Sequence, residues 1–205
     1  MEFILIYDGI LKSGKSSEPE DKQKIRRQLS VQLERFLESN KSFRDSLFEK
    51  HEPISFGSAE IIDGDLQWID GEKHSLIEDE ITATHIRGFN FIPLISSKLS
   101  MYAELDIVLL TTDPQSDLIT SNGDIDNKLK TLFDALGVPA HANQISVEGV
   151  GETIYCLLED DKLIRKVTVE KAQLLNEPKG RNEVLALIKV KTKVGIVGLR
   201  NIQFV

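Results

Sequence analysis

The sequence predicts an α+β protein in which a mixed β-sheet packs against a few helices. Two kinds of apolar pattern support this fold class. Segments with alternating apolar residues, typical of strands, recur along the chain, and apolar residues at helical spacing indicate amphipathic helices among them. The length of 205 residues and the 40% hydrophobic content are typical of one soluble globular domain. We therefore expect a single domain over residues 1–205.

The strongest strand pattern lies at residues 101–112, where apolar side chains alternate and predict a buried strand. Further strands are predicted at residues 2–7, 167–175 and 184–194. Residues 89–95 also resemble a strand, but Pro93 has no backbone N–H to donate and therefore predicts an edge position.

A long amphipathic helix is predicted from Pro19 to Asn40. Its apolar face consists of Ile25, Leu29, Leu33, Phe36 and Leu37. The opposite face carries the basic residues Lys22, Lys24, Arg26, Arg27 and Arg35. Such a face is more commonly solvated, although it could also contact phosphates. A second, shorter helix is predicted at residues 42–50.

Residues 59–80 form an acidic segment with eight Asp and Glu residues and Lys73 as its single Lys or Arg. Gly64 and Gly71 interrupt the segment, and its apolar pattern is weak. We interpret it as an insertion or an edge hairpin, and its charge makes a DNA-facing position unfavourable.

The net charge of −8 is unevenly distributed. Residues 162–205 carry +7, so the rest of the chain carries −15, which is compatible with one basic surface. No apolar run is long enough to span a membrane, and Glu2 stands where a signal peptide would carry positive charge. The single cysteine, Cys156, is expected to be a buried thiol. We expect a cytoplasmic protein.

A phosphate-loop pattern, G-x-x-x-x-G-K-S, occurs from Gly9 to Ser16. A working phosphate loop runs from a strand directly into a helix. Pro19 stands where that helix should already have begun, which argues against a nucleotide site.

The most informative stretch runs from Gly123 to Leu136, where a turn leads into a helix with one apolar face. Asp124 and Asp126 are two residues apart at its start, and in an extended chain they would point the same way. Carboxylates aimed at one point repel each other unless a cation or a shared proton lies between them. Capping of the helix is the more common role of such residues.

The order of residues in this stretch resembles the acidic core of the RusA-type Holliday-junction resolvases. The matching features are Asp124 and Asp126-Asn127, then Lys130, then Asp134-Ala135-Leu136, and finally the pair Asp160-Asp161 before a strand. The interval between Leu136 and Asp160 is longer than the family pattern. The resemblance is strong over about a third of the chain.

The resemblance implies a phage-associated, Mg²⁺-dependent endodeoxyribonuclease that acts as a homodimer on four-way DNA junctions. Asp124, Asp126 and Asp161 would bind the Mg²⁺ or a substituting Mn²⁺, with Lys130 stabilising the charge at phosphorus. Asp160 and Asp134 would support this site. The basic residues expected to contact branched DNA are Lys128, Lys162, Arg165, Lys189, Lys191 and Lys193.

Two other functions remain open at this point. One is a RusA-like protein that binds DNA or a protein partner but is catalytically weak or inactive, as the net acidity, the long interval and the acidic segment would allow. The other is a Mg²⁺-dependent nucleotidyltransferase or nucleotide hydrolase built on the same pair of aspartates. The lack of an upstream Gly-Ser motif disfavours this second function.

Overall fold

A four-stranded mixed sheet lies at the centre of the computed structural model. The structure describes residues 1–14, 16–48, 58–62, 65–69, 83–112, 125–175, 182–197, 201 and 204. The helices are α1 (Pro19–Ser39), α2 (Lys41–Phe48) and α3 (Ile125–Leu136). The strands are β1 (Glu2–Ile10), β2 (Ser58–Ile62), β3 (Asp65–Ile69), β4 (Thr84–Ile86), β5 (Phe89–Ile95), β6 (Met101–Thr111), β7 (Glu152–Leu158), β8 (Ile164–Gln173) and β9 (Glu183–Val194).

The central sheet has the strand order β1-β9-β6-β8. The β1–β9 and β9–β6 pairs are antiparallel, whereas β6 and β8 are parallel. Side chains of β6 alternate as the sequence predicts, with Leu105, Ile107 and Leu109 buried and the residues between them half-buried. One face of this sheet is therefore the core face.

A second mixed sheet has the order β4-β5-β7, with β4–β5 antiparallel and β5–β7 parallel. The α+β class is thus confirmed, but two mixed sheets are present instead of the one expected. The edge position predicted for the strand containing Pro93 is wrong, because β5 is the middle strand. Its partner β4 pairs only with Phe89, Asn90 and Phe91, so the missing N–H of Pro93 lies beyond the end of that ladder.

Strand β7 occupies the interval that the sequence analysis treated as an unusually long connection. It was missed because short apolar runs carry little periodicity of their own. Cys156 lies on β7 and is buried, as predicted. Burial raises the pKa of its thiol to about 12, which suits a packing role and not that of a nucleophile.

Helix α1 has nearly the predicted limits, and Ile25, Leu29, Leu33 and Leu37 are buried in a core cluster that includes residues of both mixed sheets. The prediction of a solvated basic face is wrong for Arg26, which is 2% exposed. None of the helices in the described part of the chain combines the length and the hydrophobicity that a membrane-spanning helix needs.

The phosphate-loop pattern does not form a phosphate loop. Gly9 lies within β1 and pairs with Val184, so it cannot belong to a turn around a ligand. The helix that follows begins with a capping box in which Glu18 and Asp21 each accept the other's backbone N–H. Two carboxylates therefore occupy the position where a phosphate would bind.

The acidic segment begins with a hairpin, since β2 and β3 pair in antiparallel orientation from Ser58–Ile69 to Ile62–Asp65. Residues 63, 64 and 70–80 of the segment lie outside the described residues.

Candidate acidic site

Helix α3 ends with the Asp134-Ala135-Leu136 pattern. Leu129, Leu132 and Leu136 are buried on its core face, as the periodicity predicts. Asp126 and Lys130 are exposed on the opposite side. Asp124, the first predicted metal ligand, lies outside the described residues.

The C-terminal end of α3 is held by two basic side chains of α1. Arg26 donates from Nε to the carbonyl of Gly137 at 3.1 Å and from Nη2 to the carbonyl of Asp134 at 2.6 Å. Lys22 Nζ lies 2.6 Å from Oδ2 of Asp134. A cation at this position also interacts favourably with the negative end of the helix dipole. The orientation of Asp134 is therefore fixed from α1.

The turn after β7 is fixed by Glu159. Its Oε2 accepts hydrogen bonds, each 2.8 Å long, from the hydroxyl of Ser96 and from the N–H and hydroxyl of Ser97. Partial burial alone would raise the pKa of Glu159, but these hydrogen bonds outweigh it and lower the pKa. The turn is thereby joined to the end of β5.

Asp160 and Asp161 follow in this turn and have opposite electrostatic environments. The N–H of Lys162 donates to Asp160 Oδ1 at 2.9 Å and lowers the pKa of Asp160. Asp161 is largely exposed, but partial burial raises its pKa, and the carboxylates of Asp160 and Asp134 raise it further. The negative charge of Asp161 is thus disfavoured until a cation or a proton compensates it.

Asp134, Asp160 and Asp161 line one cleft of about 320 Å³. One wall comes from the end of α3 and the segment after it, and another from the turn that precedes β8. The other polar residues of the lining are Thr84, Gln144 and Glu159. Carboxylates from sequence positions far apart in the family-like pattern therefore converge on one cleft.

Asp126 does not line this cleft. It precedes Asp134 by eight residues on α3, which corresponds to about 12 Å along the helix axis. Carboxylates that share one Mg²⁺ need their oxygens within about 2.1 Å of the ion. The structure thus brings Asp161 together with Asp134 and Asp160, the residues expected to support the site, and not with Asp126.

Within the part of the chain that the structure describes, no three His, Cys, Asp or Glu residues are placed to hold a metal ion. Because Asp124 is outside that part, the trio Asp124, Asp126 and Asp161 stays a prediction.

The basic residues predicted to contact DNA fall into different environments. Lys162 lies beside the cleft, 3.4 Å from Asp160, with its side chain 84% exposed. Arg165 is the second residue of β8 and lies over the ring of Tyr102. Lys128 is 8% exposed and so does not belong to an open basic surface.

Three lysines of β9 were predicted to act together. Lys189 pairs with Glu2, and Lys191 lies 3.1 Å from Asp106. Lys193 is exposed. All three lie on one face of the strand, as the spacing predicts, but acids of neighbouring strands neutralise two of them.

Lys22 and Arg26 were not recognised as residues of the site from the sequence. Each interacts with a group more than one hundred positions away, and no local pattern marks such a contact. The one signal in the sequence that could have indicated these contacts was the presence of a basic residue at the border of the apolar face of α1.

Comparison of the chain with protein-family models, with curated proteins and with solved structures finds no match.

Proposed function

We propose that this chain is a Mg²⁺-dependent endodeoxyribonuclease that cuts branched DNA, with the four-way junction as its substrate. The observation that carries the proposal is the convergence of Asp134, Asp160 and Asp161 on one cleft. These residues belong to the later part of the RusA-like pattern, which the sequence separates by more than twenty positions. In this role the protein acts in the cytoplasm as a homodimer.

The chemistry of the cleft fits a hard divalent cation. The raised pKa of Asp161 arises from its partial burial and from the neighbouring carboxylates, and a bound cation would favour its charged form again. Asp161, Asp160 and Asp134 supply carboxylates to the cleft but are not placed as three ligands of one ion, so a complete ligand set would need Asp124 or Asp126, which the resemblance adds. Mg²⁺ bound there would lower the pKa of a water molecule and neutralise charge on a phosphate.

The basic side chains near the cleft have different roles in this proposal. Lys22 holds the carboxylate of Asp134 in place at 2.6 Å. Lys162, exposed beside the cleft, and Lys130, exposed on α3, would bind the phosphates of the substrate. Electrostatic stabilisation of charge that develops at phosphorus is commonly a large contribution to such a reaction.

The test is incubation of the full chain with labelled four-way junction, fork and linear duplex, in Mg²⁺ and in EDTA. We expect Mg²⁺-dependent nicking of the junction that Asp161→Asn abolishes. Asp45→Asn is the matched control, because Asp45 is exposed on α2, away from the cleft. Equal cleavage by Asp161→Asn and wild type would refute the proposal.

A second candidate function is binding of branched DNA without cleavage. The observation that favours it is the Lys22–Asp134 ion pair, which already neutralises one carboxylate of the cleft. The same assay separates the two functions, since a binding protein would shift the junction in a gel in EDTA and leave it uncut in Mg²⁺ or Mn²⁺.

A further inference from the structure

The middle of β1, at one edge of the central sheet, is capped by a side chain of α1. Gln32 donates from Nε2 to the carbonyl of Ile6 at 2.7 Å, and its Oε1 accepts the N–H of Ile6 at 2.9 Å. The side-chain amide thus bonds as the backbone of a neighbouring strand would. A strand edge that is capped in this way is a poor template for another chain.

The edge of β7 that faces away from β5 is capped as well. The hydroxyl of Ser30 on α1 accepts the N–H of Tyr155 at 2.9 Å, and the N–H of Val138 donates to the carbonyl of Leu158 at 3.0 Å. The other edge strand of that sheet, β4, has three residues. Strand addition is therefore disfavoured at both edges of the second sheet.

Strand β8, the other edge of the central sheet, is long and open. It has ten residues and pairs with β6 on one side. Among the described residues, none bonds to its other side as Gln32 bonds to β1. Alternate residues of such an edge strand direct both N–H and C=O away from the sheet. Residues 165–168 are all exposed, so these groups are accessible to a second chain.

The core face of the central sheet is incompletely covered at β8. Val167 and Val169 lie in register with Leu105 and Ile107 of β6. The two β6 residues are at most 1% exposed, whereas Val167 is 39% exposed. A further strand beside β8, with apolar side chains on this face, would cover Val167 and continue the core by one row. The fold therefore favours a partner that is apolar at every second position.

The charged residues of β8 favour an acidic partner. Three of the four are basic, namely Arg165, Lys166 and Lys171, and the fourth is Glu170. Arg165 and Lys166 are exposed at the start of the strand, although the whole chain carries −8. A nucleic acid is also negative, but its phosphates only accept hydrogen bonds and would leave the outward carbonyls of β8 unpaired. An extended acidic peptide has both donors and acceptors for this edge.

We propose that the open edge of β8 binds an extended acidic segment of a partner protein, which adds to the central sheet as a fifth strand. Its apolar residues would lie on the core face beside Val167, and its Asp or Glu residues on the opposite face beside Lys166. Hydrogen bonds between main chains supply affinity in strand addition, and side chains at alternate positions supply specificity. The bound segment lies next to the acidic cleft, because β8 begins three residues after Asp161.

The first test uses a fluorescein-labelled peptide of alternating Glu and Val, about seven residues long, which fits within the length of β8. The full chain is titrated into it in EDTA and without nucleic acid, and we expect a saturable rise in fluorescence anisotropy. The same peptide with Lys in place of Glu is the matched control. It should bind at least tenfold more weakly, because its charges would meet Arg165 and Lys166. No binding of the acidic peptide, or equal binding of the two, would overturn the proposal.

The second test determines whether the peptide binds as a strand. Successive N–H groups of a strand point to opposite edges, so methylation of alternate backbone nitrogens blocks one edge at a time. We expect one methylated set to abolish binding and the other set, whose methyl groups face solvent, to retain it. Equal binding by the two sets would exclude strand addition and overturn the proposal.

The third test locates the peptide by amide hydrogen exchange. We expect alternate amides of residues 165–170 to gain protection when the peptide is added. Lys166→Glu should weaken binding at least tenfold, whereas Lys41→Glu, at an exposed position of α2, is the matched control and should not. Protection confined to other elements would overturn the assignment to β8. Protection of the same amides by a rise in protein concentration, without peptide, would identify a second copy as the occupant and would also overturn it.

Strand addition at β8 is independent of the proposed nuclease activity, because every measurement is made in EDTA and without DNA. If the peptide binds and protects β8 but the protein cuts no junction, the edge site stands and the proposed function alone is refuted.

Discussion

Replacement of Arg26 by methionine tests whether α1 fixes the end of α3 that carries Asp134. Arg26 is 2% exposed and donates to the carbonyls of Asp134 and Gly137. A hydrogen bond from a charged donor contributes about 1.5 to 3 kcal/mol, and a cation at a helix C-terminus adds about 0.3 to 1 kcal/mol. Methionine keeps much of the aliphatic volume but leaves both carbonyls without this donor.

The loss is partly offset, because burial of the guanidinium is itself unfavourable. Burial lowers the pKa of Arg26, and its Nη1 has no hydrogen-bond partner among the described residues. Removal of a buried charge returns part of that desolvation penalty. We therefore expect Arg26→Met to lower the free energy of unfolding by about 2 to 3 kcal/mol.

Urea denaturation measures this loss. With a slope of about 2 kcal/mol per molar, the midpoint should fall by roughly 1 to 1.5 M. Arg35→Met on the exposed side of the same helix is the control and should change the free energy by no more than about 0.5 kcal/mol. If Arg26→Met has as little effect as the control, the two hydrogen bonds do not stabilise α3 and the argument fails.

Three further predictions concern the cleft and the second sheet. Asp161→Asn should raise the melting temperature at pH 7. The pKa of Asp161 in the folded protein is raised above its ordinary 3.8, so the charged form of Asp161 destabilises the fold at a pH above that raised pKa. This gain should vanish at acidic pH, below the unfolded pKa. Glu159→Gln should lower stability by about 1 kcal/mol at pH 7. Since the pKa of Glu159 is lowered, that loss should disappear as the pH falls through the folded pKa, and thermal melts from pH 7 to pH 3 measure both effects. Cys156 is buried with a pKa near 12, so a thiol reagent at pH 8 should modify it only after denaturation; rapid reaction of the native protein would contradict its assigned packing role.

The long helix and the long strand, whose apolar pattern continues over many residues, were predicted well from the sequence. The contacts that assemble the site were predicted less well. Helix α1 and strand β6 have nearly the predicted limits, because their apolar periods extend over many residues and few alternatives satisfy them. Strand β7 was missed because it is short. Arg26 was assigned to the wrong face because basic residues are seldom buried, and its carbonyl partners are fixed only by the packing of α1 against α3.

The predicted site shows the same limit. A pattern in the sequence orders Asp126, Asp134 and Asp161 along the chain but contains no information on which end of α3 meets the turn before β8. The helix has a fixed rise per residue, so only one of its ends can contact Asp161. In the fold that end carries Asp134, and the pKa of Asp161 responds to it.

The distribution of charge limits where the proposed nuclease can bind DNA. The C-terminal segment carries +7, yet Lys189 and Lys191 are paired with Glu2 and Asp106. A paired lysine releases few counterions when a phosphate approaches, so these two contribute little to DNA binding. Lys162 lies 3.4 Å from Asp160, but its side chain is 84% exposed and open to a phosphate beside the cleft. Recognition of a junction by the proposed homodimer would depend on presentation of two such clefts at once.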